Sequence, residues 1–161
     1  MSGNRMSRLS FLSPDECAPD VVQVSPLRHA ELGSAVHDVS GLGLLEVRGD
    51  VPDGALPIGP GRGLLVVDGD VRAARERLAA EGCRVYDQSA ALAAFEVEGE
   101  DLMRRLTELD LDALPVIGAV ARGVPAVIER RGGERFRLFV PEELGHYVAE
   151  VATDAAKGLD R

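Results

Sequence analysis

The C-terminal third of the chain constrains the fold most, because two strand-like runs flank a glycine pair and a helical run follows. "PAVIE" and "RFRLFV" are rich in β-branched and aromatic residues, and "RRGG" at positions 130–133 separates them. Glycine supplies the backbone angles of a tight turn, so this segment predicts an antiparallel hairpin. Pro141 suits the first position of a helix. The apolar residues that then recur at helical spacing are Leu144, Tyr147, Val148, Val151 and Ala155.

Strand-like runs also recur through the rest of the chain. "LLEVRG" (44–49) and "LLVVD" (64–68) predict strands, and the run at 84–100 predicts a strand with an interruption. Between the first two, the prolines and glycines of "DVPDGALPIGPGRG" (50–63) predict a segment without regular structure. Residues 114–140 predict two or three further strands, including those of the hairpin.

Two shorter helices are predicted upstream of the hairpin. Asp70 predicts an N-cap and Gly82 the position just after the C-terminus, because Asp accepts backbone N–H groups and glycine tolerates the turn that ends a helix. The residues expected on its buried face are Val71, Ala74, Leu78 and Ala79. "EDLMRRLTEL" (100–109) predicts the second helix, with Leu102, Leu106 and Leu109 buried. This order of elements predicts an α+β fold, with antiparallel sheets and helices packed on one face.

A weak internal repeat links the two parts of the chain. "VHDVS" (36–40) corresponds to "VYDQS" (85–89), and "EVRGD" (46–50) corresponds to "EVEGE" (96–100). Matches this short leave chance and duplication both open. Under duplication, each pair would form strands that leave a polar turn, one in each half, with halves at about 25–82 and 83–161.

Composition excludes several classes of function. The chain has 161 residues, a formal net charge of −9 at pH 7 and a sequence pI near 4.8, so nucleic acid would be repelled. Neither a signal-peptide core nor a membrane-length apolar run is present, which predicts a cytoplasmic protein without a membrane partner. Residues 1–24 are expected to form a flexible arm. Cys17 and Cys83 are too few for a disulfide framework and too far apart for a zinc site.

Motifs for catalysis are weak throughout the sequence. "GLGLLE" (41–46) resembles the start of a phosphate loop, but the expected strand after it cannot present a helix N-terminus to phosphate. His37 and Asp38 are neighbours on an expected strand and would point to opposite faces. His29, His37 and His146 lack the spacing of metal ligands. We therefore predict no catalytic residue and no metal site.

Several segments in order resemble a known family. "SPL" (25–27) and "VHDVSGLGLLEVRGD" are followed by "PIGPGRGLLVV", "VYDQSAALAAFEVEGEDLMRRL", "LDLDALP" and "GVPAVIERRGGERFRLFVPEELGHYVAEV". This series resembles the gamma subunit of heterotetrameric sarcosine oxidase, within the folate-binding aminomethyltransferase-like proteins. The resemblance implies one aminomethyltransferase-like α+β domain over residues 25–161, with ferredoxin-like or aminomethyltransferase-like halves.

The resemblance also implies a function without catalysis by this chain. It implies an accessory subunit of a flavin-dependent oxidase for sarcosine or another N-methyl amine, with larger flavoprotein subunits as partners. FAD, FMN, NAD and tetrahydrofolate would belong to those subunits, and this chain would bind no cofactor.

Two alternatives stay open from the sequence. In the first, the chain binds tetrahydrofolate by itself or handles one-carbon units. Asp38, Tyr86 or Asp87 would then contact the pterin, and an arginine would hold the glutamate tail. In the second, the chain is a small structural or regulatory module that shares only the α+β layout.

Overall fold

The computed structural model describes residues 24–159, so Cys17 and nearly all of the arm expected at 1–24 lie outside the described residues. The strands are β1 Val36–Asp38, β2 Gly43–Arg48, β3 Leu56–Gly59, β4 Arg62–Val67, β5 Arg84–Asp87, β6 Leu92–Glu98, β7 Val116–Val120, β8 Val124–Gly132 and β9 Arg135–Pro141. The helices are α1 Val71–Ala80, α2 Glu100–Leu106, a 3₁₀ turn at Leu111–Ala113 and α3 Glu142–Lys157. These elements confirm the predicted α+β class.

The larger sheet has five strands in the order β1-β6-β9-β8-β7, and every neighbouring pair is antiparallel. The predicted hairpin is present as β8 and β9, but β8 extends into "RRGG" as far as Gly132. Only Gly133 and Glu134 lie between the strands. Gly132 and Gly133 have φ values of 116° and 57°, which glycine adopts without strain. The connection between the strands therefore has two residues, whereas the sequence predicted a turn of four residues at 130–133. It is short because Gly132 and Gly133 adopt the backbone angles that reverse the chain.

The smaller sheet has four antiparallel strands in the order β3-β4-β2-β5. The prediction that residues 50–63 lack regular structure is wrong for β3 and for the start of β4. Pro57 is tolerated because β3 is an edge strand, where one side of the backbone needs no donor for a neighbour. Gly61, with φ 62°, lies in the tight turn to β4.

The two sheets pack face to face, and helices cover their outer faces. Helices α2 and α3 lie on the five-stranded sheet over a core that includes Phe95, Phe136 and Leu138. Helix α1 covers the other side of the four-stranded sheet through Leu78, which packs with Leu45 and Val47. Between the sheets lie the apolar residues Leu44, Leu56, Leu64, Ala94 and Phe139. Each sheet thus carries its helices on one face, as predicted.

Helix α3 packs through smaller residues than its apolar stripe suggested. Its buried residues are Gly145, Val148, Ala149, Ala152 and Thr153. Tyr147 is exposed, contrary to the prediction, because the helix lies so close to β6 that only small side chains fit between them. A Cβ added at Gly145 would lie 2.5 Å from the Cβ of Ala93.

The predicted N-cap of α1 is confirmed, since the Asp70 carboxylate accepts the Ala73 N–H at 3.0 Å. Gly82 follows the helix with φ 90°. Ala79 is exposed instead of buried, because the ten-residue helix meets the sheet chiefly through Leu78. On α2, Leu102 and Leu106 are buried as predicted, whereas Leu109 lies beyond the helix and is partly exposed.

The sequence repeat corresponds to a structural repeat in which the two first strands are exchanged. Strand β1 pairs with β6, and β5 pairs with β2. The registers are equivalent, since Val36 lies opposite Val97 and Val85 lies opposite Val47. The order β5-β2-β4-β3 therefore corresponds to β1-β6-β9-β8, with β7 added to the larger sheet. Each sheet contains a strand from the other side of residue 82, and the division of the chain into halves there stays a prediction.

Candidate functional site

Asp38 closes a turn at the end of edge strand β1. Its carboxylate accepts the backbone N–H of Ser40 at 2.9 Å and a hydrogen bond from the Ser25 hydroxyl. The Ser40 hydroxyl in turn joins the backbone of Ala94 on β6. These contacts give Asp38 a structural role in holding the turn between β1 and β2.

Asp87 occupies the equivalent place after β5. Its carboxylate accepts the backbone N–H of Ser89 at 2.9 Å, and the Ser89 hydroxyl accepts the Leu44 N–H at 3.0 Å. Asp87 also lines a surface groove of about 490 Å³ that includes Pro26 and Glu142. The two aspartates of the repeat therefore form the same kind of turn on the edge strands of different sheets.

Tyr86 lies on β5 opposite Glu46 of β2, and the residue is 42% exposed. The Arg48 guanidinium lies over the Tyr86 ring, 4.6 Å from its centroid, which is the geometry of a cation–π contact. Tyr86 and Arg48 thus form a cationic and aromatic pair on the surface of the four-stranded sheet.

A nearly buried carboxylate anchors this pair. The Glu46 side chain is 8% exposed, and its Oε1 accepts from Nε of Arg48 at 2.6 Å and from Nε of Arg62 at 2.9 Å. Burial by itself raises the pKa of Glu46, but the hydrogen bonds and positive charges of the two arginines outweigh it. The pKa of Glu46 therefore lies below its ordinary value, and the carboxylate is held ionised.

The three residues named for pterin contacts are thus distributed over two sheets. Asp38 is on the edge of the five-stranded sheet, while Tyr86 and Asp87 are on the edge of the four-stranded sheet. Both carboxylates already accept backbone N–H groups in turns, and the face of Tyr86 carries the Arg48 guanidinium. Contact of these residues with folate stays a prediction.

A second ionic cluster lies on the five-stranded sheet. Arg137 donates to Glu96 at 2.7 Å from Nη2 and to Glu129 at 3.2 Å from Nη1. Its side chain is only 10% exposed. Burial raises the pKa of Glu129 above its ordinary value, against the opposing charges of Arg137 and Arg131. This network balances its own charges, which is the arrangement expected of buried structural groups.

The histidines and the described cysteine lie apart from these clusters. His146 contacts Glu150 one turn along α3 at 3.0 Å, and His37 lies 3.6 Å from Glu98. The Cys83 thiol donates to the backbone oxygen of Asp50 at 3.2 Å. Over residues 24–159, no group of three or more His, Cys, Asp or Glu side chains is arranged to hold a metal ion.

The helices of the described region are short or polar relative to a membrane span. Within it, none is long and apolar enough to cross a bilayer.

The sequence patterns described above do not predict the ion pairs of Glu46 with Arg48 and Arg62. "EVR" places Glu46 and Arg48 two residues apart on a strand, and hence on one face. That spacing is a signal in the sequence from which the pair of Glu46 and Arg48 could be predicted. The ion pair between Arg62 and Glu46 could not be predicted from the sequence, because it depends on the register between β4 and β2.

Comparison with known proteins identifies a solved structure that has the same fold. No protein-family model matches the sequence. No curated protein matches it either. Among solved structures, a chain of the heterotetrameric sarcosine oxidase from Corynebacterium sp. U-96, in complex with pyrrole 2-carboxylate, superposes with a TM-score of 0.67 at 17% sequence identity. The match covers 86% of this chain and 97% of that chain, so this protein shares its fold with one chain of a heterotetrameric sarcosine oxidase.

Proposed function

We propose that this chain is a non-catalytic accessory subunit of a heterooligomeric, flavin-dependent oxidase that acts on sarcosine or a related N-methyl amine. The single observation that carries the proposal is the shared fold, which spans 97% of a sarcosine oxidase chain. The match covers 86% of this chain and 97% of that chain, so the fold described here corresponds to nearly the whole of one chain of that assembly.

The chemistry of the described side chains supports a structural role. Asp38 and Asp87 hold turns, and Glu46, Glu96 and Glu129 are bound by arginines. Carboxylates in these positions stabilise strand connections and sheet packing. Such a chain contributes folded surface to an assembly, while bond-making steps belong to other subunits.

The cofactors of the proposed assembly would then reside on the larger subunits. FAD, FMN and NAD would be bound by the flavoprotein partners, and tetrahydrofolate would accept the one-carbon unit there. This chain would contact those subunits and stabilise the assembled enzyme.

Co-purification tests the proposal. The full chain, carrying an affinity tag, is recovered from its source cells, and the eluate is assayed for flavin absorbance and for sarcosine-dependent hydrogen peroxide. We expect both to elute with the chain and neither with an unrelated tagged protein. Recovery of the chain alone, without flavin or oxidase activity, would contradict the proposal.

Calorimetry separates this function from folate binding by the chain itself. Tetrahydrofolate titrated into the isolated chain is expected to release no heat of binding. Saturable heat that is lost in the Tyr86→Ala variant would instead support the stand-alone folate-binding hypothesis.

A further inference from the structure

Three arginines lie side by side across the four-stranded sheet. Arg48 on β2 is directly opposite Arg62 on β4 and directly opposite Arg84 on β5. Paired residues of antiparallel strands project from the same face, so the three side chains form one row. Near Leu44 and Leu64 this face is covered by the other sheet, whereas Arg62 and Arg84 are exposed and Arg48 is half-buried. We call it the arginine row.

The corresponding face of the five-stranded sheet has a different charge pattern. There His37 lies opposite Glu96, Glu96 opposite Arg137, and Arg137 opposite Glu129. Acidic side chains in that row are thus each next to a basic or titratable partner, and the charges compensate within the fold. The arginine row instead places like charges opposite one another, which destabilises an isolated sheet.

The arginine row is only partly neutralised. Glu46 binds Arg48 and Arg62, and it is the one acid among the residues that β2, β4 and β5 place on this face. Arg48 and Arg62 are still 41% and 46% exposed, which leaves guanidinium N–H groups available. The exposed Arg84 side chain makes no ion pair with any residue of the described range. Two positive charges therefore remain on this face of a chain whose net charge is −9.

Tyr86 adds an aromatic surface beside the row. It is exposed and lies under the Arg48 guanidinium, on the same face as the arginines. Arginine and tyrosine are enriched among the residues that dominate binding energy in protein interfaces. Guanidinium groups also match carboxylates with paired hydrogen bonds.

We propose that the arginine row and Tyr86 form a docking surface for an acidic segment of a partner protein chain. That the partner is a larger oxidase subunit rests on the proposed function, whereas the acidic chemistry of the contact rests on the row. Adjacent strands are about 4.8 Å apart, so the row spans roughly 10 Å, and several carboxylates of an extended segment can engage it together.

Binding of poly-L-glutamate to the isolated full chain tests the docking surface. The variant Arg84→Glu changes an arginine of the row that has no partner within the described fold, and Arg75→Glu makes the same charge change on α1, which covers the opposite face of the sheet. We expect poly-L-glutamate to bind the natural chain, to bind Arg84→Glu at least about tenfold more weakly, and to bind Arg75→Glu nearly as well as the natural chain. The midpoint of thermal unfolding of Arg84→Glu should not fall.

Four results would overturn the docking surface: no binding to the natural chain, equal weakening by both variants, a lower unfolding midpoint in Arg84→Glu, or displacement of poly-L-glutamate by an equal concentration of inorganic phosphate. The last result would assign the row to small anions.

Co-purification separates this proposal from the proposed function. If flavin and oxidase activity elute equally with the natural chain and with Arg84→Glu, the subunit function holds and the docking surface is wrong. If the natural chain binds poly-L-glutamate as expected but elutes without flavin, the docking surface holds and the subunit function is wrong.

Discussion

Ser40, which follows β1, and Ala94 on β6 are joined by two hydrogen bonds. The Ser40 hydroxyl donates to the Ala94 carbonyl oxygen at 3.1 Å and accepts the Ala94 N–H at 3.1 Å. In the other half, the Ser89 hydroxyl accepts the Leu44 N–H at 3.0 Å. In each repeat, the serine that follows the first strand therefore forms a hydrogen bond with the backbone of the strand that pairs with this first strand.

Replacing Ser40 by alanine should destabilise the protein. The carbonyl of Ala94 keeps the Val39 N–H as donor at 2.9 Å, but the buried N–H of Ala94 loses its acceptor. An unsatisfied buried donor costs about 1–3 kcal/mol. Urea denaturation of Ser40→Ala should show a loss of that size. The exposed Ser34 provides the control, and a Ser40→Ala loss no larger than that of Ser34→Ala would contradict the role of the hydroxyl.

Gly145→Ala should also destabilise the protein, although alanine is the better helix former. The gain in helix propensity is about 1 kcal/mol. Overpacking against Ala93 and Leu27, where the new Cβ would lie at 2.5 and 3.3 Å, costs about 1–3 kcal/mol. We expect a net loss of up to about 2 kcal/mol in the free energy of unfolding, measured by urea denaturation.

A double variant isolates the contact between α3 and β6. Combining Gly145→Ala with Ala93→Gly removes the opposing methyl group, so the two changes should couple favourably by about 1 kcal/mol in a double-mutant cycle. Simple additivity of the two losses would show that the helix has room to move away from the sheet.

Two buried carboxylates should give opposite pH dependences of stability. The folded-state pKa of Glu46 is lowered, so its contribution is present above the unfolded value of 4.5 and is lost as the pH falls through the folded pKa. The folded-state pKa of Glu129 is raised, so its contribution is present below 4.5 and is lost as the pH rises through the folded pKa.

Glutamine variants measure these contributions. The stability of the natural chain relative to Glu46→Gln should decrease when the pH is lowered below 4.5, and that relative to Glu129→Gln should decrease when the pH is raised above 4.5. Chemical denaturation across this range provides the comparison. If the two differences in free energy of unfolding changed in the same direction with pH, the opposite pKa shifts of Glu46 and Glu129 would be contradicted.

Arg84→Glu should stabilise the isolated chain. The new carboxylate would face Arg48 across the strand pair and would replace a repulsive pair by an attractive one. Cross-strand opposite charges contribute about 0.2–1 kcal/mol, so the free energy of unfolding should rise by about 0.5 kcal/mol. High salt should reduce the gain, because exposed charges are screened. A gain that does not depend on salt would point away from electrostatics.

Local patterns in the sequence predicted most elements, because their causes are local. The cap at Asp70, the glycines of the β8–β9 hairpin and the alternation around Glu46 each act over a few residues. Strand β3 was missed since Pro57 is acceptable only at a sheet edge, and an edge is defined by strands elsewhere in the chain. Tyr147 was misplaced for a similar reason, because the small residues of β6 decide which side of α3 is buried.

The surface features depend still more on long-range register. Arg62 and Arg84 are unremarkable in the sequence, and they become neighbours of Arg48 only when β4 and β5 pair with β2. The exchange of β1 and β5 between the repeats likewise could not be predicted from the sequence, although the repeat itself could be detected there. Pairing between segments fifty residues apart leaves no signal in either segment alone.

Native mass spectrometry of the chain purified from its source cells tests the subunit function most directly. We predict a particle in which the 17.1 kDa chain is present in equal number with larger, flavin-bearing subunits. Its dissociation should release this chain without a bound cofactor. A spectrum that contains only the 17.1 kDa chain, alone or as copies of itself, would contradict the account.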